Sequence, residues 1–399
     1  MAPTLGLYIH IPFCRSKCEY CDFYSLSGQE GRMDEYQRAL LSHLAESAPQ
    51  ADAYTVDTVY FGGGTPSFYG EKRLIELLTR IKKLFHVDKR AEITMEANPD
   101  SVNLSMLKHL RKAGFNRLSM GVQSADDGQL ADLGRPHSFE QAKYAVAHAR
   151  RAGFKNISLD LIYGLPGQDL KSWQNTVEEV LALEPEHISA YGLKVEEGTP
   201  LCRRVELGEV LPDDDTQADF YLWAVQRLAQ SGYKQYEISN FAMGGCISRH
   251  NFKYWMTQPY MGFGPGAHSD FGNRRYSFVR DLEKYISGVL QGNPIVDEDD
   301  QIPQKERSGE YLMLRLRTTH GIEEWEYRRD YFMNFAPIEN LLTQYEKQGL
   351  ACRSEGRWRL TAQGFLVSNT LIGALLESQE QATLSDTLAR IQELPNQDL

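Results

Sequence analysis

LGLYIHIPFCRSKCEYCDF, from Leu5 to Phe23, joins a β-rich run to three closely spaced cysteines. LGLYIHIPF reads as a strand. Cys14, Cys18 and Cys21 follow at once in the spacing C-x3-C-x2-C. Chemistry delivered just past the end of a strand is the habit of βα barrels. The rest of the chain must therefore show whether it supplies such a barrel.

It alternates as a barrel requires. MDEYQRALLSHLAESA (33–48) has a helical pattern, VDTVYFGGG (56–64) a strand, EKRLIELLTRIKKLF (71–85) a helix and AEITMEANP (91–99) a strand. LSMLKHLRKAG, RLSMGVQ, QAKYAVAHARRAG, NISLDLIYGLPG, KSWQNTVEEVLALE and HISAYGLKV continue the rhythm to Val195. Strands alternating with helices imply a parallel sheet with right-handed crossovers. The predicted class is α/β, a partial, TIM-like (β/α)6 barrel. Its strands end in chemistry-bearing residues: Gly62 to Gly64, Glu96, Gln123, Asp160 within the fifth strand and Tyr191 in the sixth.

The remaining chain divides differently. The barrel is expected over 1–235, with a helix over 216–231. A Gly- and aromatic-rich connecting segment covers 236–300. An α+β module over 301–376 has the order helix, Gly-Leu, hairpin around Gly356, Leu-Thr, helix, which is winged-helix-like. It lacks a dense basic face, so packing or lid duty is expected of it rather than DNA binding. A polar tail covers 377–399.

Composition excludes several classes. Of 399 residues 42% are hydrophobic and 24% charged, as in a soluble globular protein. A net charge of −11 argues against a nucleic-acid surface over the whole chain. No run approaches the ~18 apolar residues of a membrane span. The first residues have no basic region or cleavage site, so a cytoplasmic protein is expected. Six cysteines are too few for a disulfide framework, and three clustered thiols point to metal. Structural zinc and ordinary iron–sulfur clusters take four protein ligands. Three thiolates leave a coordination position open, the logic of a catalytic metal. A zinc site of three cysteines with His10 as fourth ligand is the competing reading.

The triple-cysteine motif after a first barrel strand, with GGGTPS at 62–67, resembles the radical S-adenosylmethionine (SAM) superfamily. YIHIPFC, MEANP, RLSMGVQS, LGRPHS, DLIYGLPGQ and HISAYGLKVEEGTPL are similar, in order and spacing, to its HemN/HemW branch, over nearly the whole chain. That resemblance implies a [4Fe-4S] cluster on Cys14, Cys18 and Cys21, with SAM chelating the fourth iron. It implies a SAM pocket of Tyr8 and Tyr20 near the cluster, Gly63, Gly64 and Thr65 at the methionine amino group, and Glu96 and Gln123 at other polar groups. Arg135 would pair with the carboxylate, Asp160 would accept from a ribose hydroxyl, and the backbone near Lys194 would lie against the adenine.

Two features separate the branches. The oxygen-independent coproporphyrinogen III oxidases carry a further Cys two residues after the third, where this chain has Phe23. The heme chaperones carry HNxxYW, intact here as HNFKYW from His250 to Trp255. Imidazole is a standard axial ligand of heme iron, so His250 is the expected heme contact, with Asn251 orienting it and Tyr254 and Trp255 stacking on the porphyrin. A hydrogen-bonded interior histidine is the alternative, and His268 is a weaker second candidate. The resemblance thus favours the HemW-type heme chaperones, which hand heme to acceptor proteins, over radical-based oxidation of coproporphyrinogen. It implies respiratory acceptors at the membrane, peripheral contact with that membrane, and a homodimer among the allowed assemblies. A zinc-bound barrel with a binding role is the third reading.

Overall fold

The computed structural model describes residues 2–393, and side chains through residue 382. The chain forms two compact units. One comprises the chain up to Lys234, Ser239–Lys253 and Gln258–Gln301; the other comprises Gln235–Ile238, Tyr254–Thr257 and the chain from Ile302.

Six strands of the first unit lie side by side in sequence order: β1 (Thr4–Ile11), β2 (Thr55–Gly63), β3 (Val87–Ala97), β4 (Arg117–Gln123), β5 (Ile157–Tyr163) and β6 (His187–Gly192). Each pairs in parallel with the next. The crossover helices Met33–Ser47, Glu71–Leu84, Leu104–Ala113, Phe139–Ala152 and Leu170–Leu181 fall where the apolar periodicity places them. Their ends follow local chemistry. Asn103, Ser138 and Asp169 accept from backbone N–H groups of the first turn. Gly114 and Gly153 close two of the helices in the left-handed conformation.

β1 and β6 do not meet. Beyond β1 the sheet continues through Tyr260–Phe263, parallel to β1, then through His268–Phe271, Arg274–Phe278 and Val296–Gln301 in antiparallel steps. Beyond β6 it continues through the antiparallel strand Asn240–Ala242. The result is the expected partial (β/α)6 barrel. The segment expected to connect the barrel to the C-terminal module and to carry HNFKYW supplies these five further strands.

The period-two alternation sorts the strands into two faces. Leu5, Leu7, Ile9 and Ile11, Val59 and Phe61, Ile93 and Met95, Leu118 and Met120, and Leu159 and Leu161 pack in one core with helix residues such as Tyr36, Leu40, Leu74 and Leu77. The intervening residues are Tyr8 and His10, Thr58 and Tyr60, Glu92, Thr94 and Glu96, Arg117 and Ser119, Ser158 and Asp160, and His187 and Ser189. That face is polar and largely enclosed. Buried polar groups survive only when hydrogen-bonded or paired, so this face is a network, unlike the apolar filling of an ordinary barrel.

The second unit has helices Gln304–Arg315, Glu324–Tyr331 and Ala336–Lys347, the hairpin Ala351–Ser354 with Arg357–Leu360, and helices Ala362–Leu366 and Ser368–Glu393. Gly356, at a φ of 80°, turns the hairpin as expected. Tyr311, Tyr327, Tyr331 and Phe335 pack as an aromatic cluster at its centre. Helix Glu324–Tyr331 escaped the sequence because Tyr327 is its one buried residue. The polar tail continues the last helix to Glu393; residues 394–399 of that expectation lie outside the described residues. Among the described residues no helix is long and apolar enough to cross a membrane.

Candidate functional site

The cysteine loop is tied at its neck. Phe13 stacks on Tyr69 with ring centroids 5.5 Å apart and planes 7° from parallel. Cys14 N–H donates to Leu26 O at 2.9 Å, and Leu26 N–H to Pro12 O at 2.7 Å. All six cysteines of the chain are free thiols. Cys18 is buried, whereas Cys14 and Cys21 are half-buried. Burial pushes the Cys14 and Cys21 thiols above their ordinary range, and the neighbouring thiols push in the same direction. Three such groups repel one another as thiolates, and a bound cation relieves that repulsion.

The GGGT turn after β2 braces this loop. Gly64 N–H donates to Ile11 O and Thr65 N–H to Phe13 O, both at 2.8 Å. A Cβ on Gly64 would lie 2.9 Å from the carbonyl oxygens of Ile11 and Phe13, so only glycine allows this approach. Gly63 has a φ of 111° and donates its N–H to Glu96 Oε2 at 3.1 Å.

A chain of hydrogen bonds then links the strand ends. Cys14 Sγ lies 3.3 Å from Thr65 Oγ1. Asn98 Nδ2 donates to Thr65 Oγ1 at 3.4 Å, and Arg135 Nη2 donates to Asn98 Oδ1 at 2.7 Å and Gly121 O at 2.8 Å. Arg135 Nη1 donates to Cys18 Sγ at 3.4 Å. The buried Nε of Arg135 has no hydrogen-bond partner. An open guanidinium donor beside thiols suits a ligand carboxylate. Gln123 ends β4 with a φ of 68°, next to a register shift between Gly121 and Gln123. Non-glycine residues are held there only by surrounding structure, and such sites cluster at functional centres.

Two carboxyls near the strand ends of the polar face lie at this site, Glu96 and Asp160. Glu96 accepts from Tyr60 Oη at 2.7 Å as well as from Gly63. Burial pushes its pKa from 4.5 to about 7, with a further push from Asp160. Asp160 accepts from Ser189 Oγ at 2.7 Å and from Ser158 and Ser119 Oγ at 3.0 Å each, and burial raises it too. Tyr8 Oη lies 3.0 Å from His10 Nδ1, and burial holds the Tyr8 phenol far above its ordinary range. Tyr20, raised by burial and drawn back by Arg135, sits beside that arginine.

His10 does not face the thiols. Its Nε2 lies 2.8 Å from Tyr24 O, its Nδ1 is on Tyr8, and burial lowers its pKa to about 4. The two ring nitrogens of the proposed zinc ligand are thus both engaged elsewhere. Among the described residues no three His, Cys, Asp or Glu side chains converge tightly enough for one ion. A four-iron cluster asks less, since each thiolate takes its own iron. The donor set, the open Arg135 Nε and the glycine-built turn fit a [4Fe-4S] cluster with SAM.

Not every expected residue joins this group. The Lys194 side chain is exposed and pairs with Glu196 at 2.9 Å. His268 is exposed, and so is Phe23, at 66%. His250 is fully buried on the polar face. Its Nδ1 lies 2.8 Å from Thr58 Oγ1, and its ring stacks on Tyr60 at 5.2 Å. Burial lowers its pKa to about 3, keeping the imidazole neutral. Asn98, Tyr60, Arg117 and the three serines on Asp160 were not singled out from sequence, though Asn98 lies within the MEANP stretch. Their signal was the polar residue at every second position of β2 to β6.

The chain matches the family model described as the radical SAM superfamily over residues 8–180 and the HemN C-terminal domain over residues 302–367. It is 36% identical to the heme chaperone HemW of Bacillus subtilis, over 92% of this chain and 98% of that protein. It is 34% identical to the heme chaperone HemW of Escherichia coli, over 94% and 98%. Among solved structures it is similar to the coproporphyrinogen III oxidase HemN of Escherichia coli, a radical SAM enzyme, with a TM-score of 0.80 and 25% identity over 94% of this chain and 90% of that one.

Proposed function

The chain belongs to the HemW family of radical SAM proteins, and from that membership we propose that it is a heme chaperone, which binds heme and delivers it to acceptor hemoproteins. The observation that carries this is identity of 36% to a curated heme chaperone along nearly the full length of both chains. A [4Fe-4S] cluster and SAM are its cofactors. Cys14, Cys18 and Cys21 hold the cluster. When bound, the cluster would supply one-electron redox chemistry beside the SAM pocket.

The chain's own residues do the rest. Gly63, Gly64 and Thr65 present backbone oxygens and a hydroxyl to the SAM ammonium. Arg135 offers its open Nε to the carboxylate. Glu96, Gln123 and Asp160 receive ribose and methionyl polar groups, Tyr8 and Tyr20 wall the pocket, and the backbone at Lys194 lies along the adenine. His250 is the proposed axial ligand of heme. Because the structure encloses that imidazole, ligation requires His250 and the turn that carries it to come away from the sheet face beneath. The acceptors are respiratory hemoproteins at the membrane, met peripherally, and a homodimer is the proposed assembly.

Oxidation of coproporphyrinogen is the second reading, favoured by the shared fold with the oxidase. Phe23, exposed where the oxidases carry their extra cysteine, speaks against it. One anaerobic batch tests both. Heme-loaded protein is mixed with apomyoglobin and transfer followed by absorbance, and coproporphyrinogen III turnover is assayed with SAM and reductant. Transfer without turnover supports the chaperone. Turnover without transfer supports the oxidase.

A further inference from the structure

The helix carrying HNFKYW is fastened to the polar face of the sheet at two points, its N-terminus and Lys253. At its N-terminus Glu92, buried on β3, accepts from the backbone N–H of Arg249 at 3.1 Å and of His250 at 3.0 Å. A carboxylate there satisfies two otherwise orphaned donors and meets the positive end of the helix dipole. One turn on, buried Lys253 Nζ pairs with Asp57 Oδ1 at 2.8 Å, and Arg249 reaches Asp57 Oδ2 at 3.5 Å. Positions 249 and 253 share one helix face, so a single carboxylate grips both.

Asp57 is placed for this by a bulge. The register of β2 runs from Val56 to Thr58 against both β1 and β3, leaving Asp57 unmatched in either ladder. A bulge re-aims one side chain without breaking the sheet. Between the two fastenings the His250 ring is held by Thr58 and by the Tyr60 face. A Cβ on Gly6 would lie 3.2 Å from that ring, so β1 contributes the glycine that leaves room for it.

We propose that Glu92, Asp57 and Thr58 are positioning residues that hold the HNFKYW helix down with its imidazole withdrawn, so that heme is received only when this hold is released. The inference rests on the reading of His250 as the heme ligand. Apparent affinity is then the intrinsic affinity scaled by the fraction of released molecules. Weakening the hold raises that fraction and tightens heme binding, the reverse of what damage to a binding site does.

The test titrates hemin into the full-length protein and into Thr58→Val, Glu92→Gln, His250→Ala and the double variant Thr58→Val with His250→Ala. Amide exchange across 249–255 is measured on the same samples. Thr58→Val, which keeps the shape of Thr58, guards against a misfolded Glu92 variant. Expected are hemin affinities roughly three- to tenfold tighter in Thr58→Val and Glu92→Gln, faster exchange in the helix, and loss of the gain in the double variant. Unchanged or weaker binding in both single variants, with His250→Ala still impaired, overturns the hold and leaves His250 as ligand. Wild-type binding by His250→Ala removes the ligand reading and this inference with it.

Discussion

Glu96→Gln separates the stability of this site from its use. The Glu96 carboxyl is enclosed on the polar face, where Tyr60, Asp160, Arg117 and Tyr8 act on it, and its pKa is pushed from 4.5 to about 7. Raising a carboxyl's pKa on folding means that the folded state favours the protonated form. Its contribution is fully present below pH 4.5 and is lost as pH rises through 7. The shift corresponds to roughly 3 kcal/mol against the ionised protein above pH 7. Glutamine keeps the shape and removes the charge, but it presents one acceptor oxygen where the carboxylate presents two, to Tyr60 and Gly63. That loss costs about 1 kcal/mol. Without SAM, Glu96→Gln is therefore expected to be about 2 kcal/mol more stable than wild type at pH 8 and slightly less stable at pH 5. Saturating SAM narrows that difference at pH 8 by about 1.4 kcal/mol for each tenfold loss of affinity. A charge-assisted hydrogen bond is lost, and affinity at pH 8 falls about tenfold or more. The wild-type affinity should also decline below pH 7 with a component that Glu96→Gln lacks. Urea unfolding at pH 5 and 8, and anaerobic calorimetric titration of SAM from pH 6 to 8.5, measure these. A variant no more stable at pH 8 that binds SAM like wild type would refute both the buried charge and its role.

Other expectations are simpler. Arg135→Lys keeps the charge but has no Nε to offer, so SAM affinity should fall at least tenfold at unchanged iron content; wild-type affinity removes Arg135 from the pocket. Gly64→Ala drives a Cβ against two carbonyl oxygens 2.9 Å away, and about 1–3 kcal/mol of destabilisation is expected, read as a lower urea midpoint and poor cluster loading. A fully loaded Gly64→Ala protein of wild-type stability would mean that the turn does not brace the cysteine loop. Replacing Cys14, Cys18 and Cys21 with Ala should abolish the brown absorbance of reconstituted protein, and retention of full iron and sulfide would undo the cluster assignment.

The fold was legible because each of the six units carries its own punctuation. Apolar period two ends at Gly63, Ala97, Gln123 and Tyr163, and an amphipathic helix follows each. The same alternation located Glu96 and Asp160, since polar residues near strand ends are conspicuous. What it hid was the depth of the polar face. Thr58, Glu92, Arg117 and His187 resemble the solvent side of a half-exposed strand, and only tertiary structure shows that they are enclosed. The strands Tyr260–Phe263 to Val296–Gln301 were hidden for another reason. Their link to the barrel is the pairing of Gly6 to Ile9 with residues over 250 positions away, a contact that no local pattern announces. His250 shows both limits. Its residue type and motif pointed to heme, while its place between Thr58 and Tyr60 depends on a helix docked from far along the chain.

Whether His250 binds heme iron is tested most directly by a hemin titration of the purified protein beside His250→Ala, followed in the Soret band. A saturable shift is expected in the wild type, weakening clearly in the variant. Saturation by both proteins with the same affinity and the same spectrum would contradict it, leaving His250 as an interior hydrogen-bonded histidine and the heme ligand elsewhere.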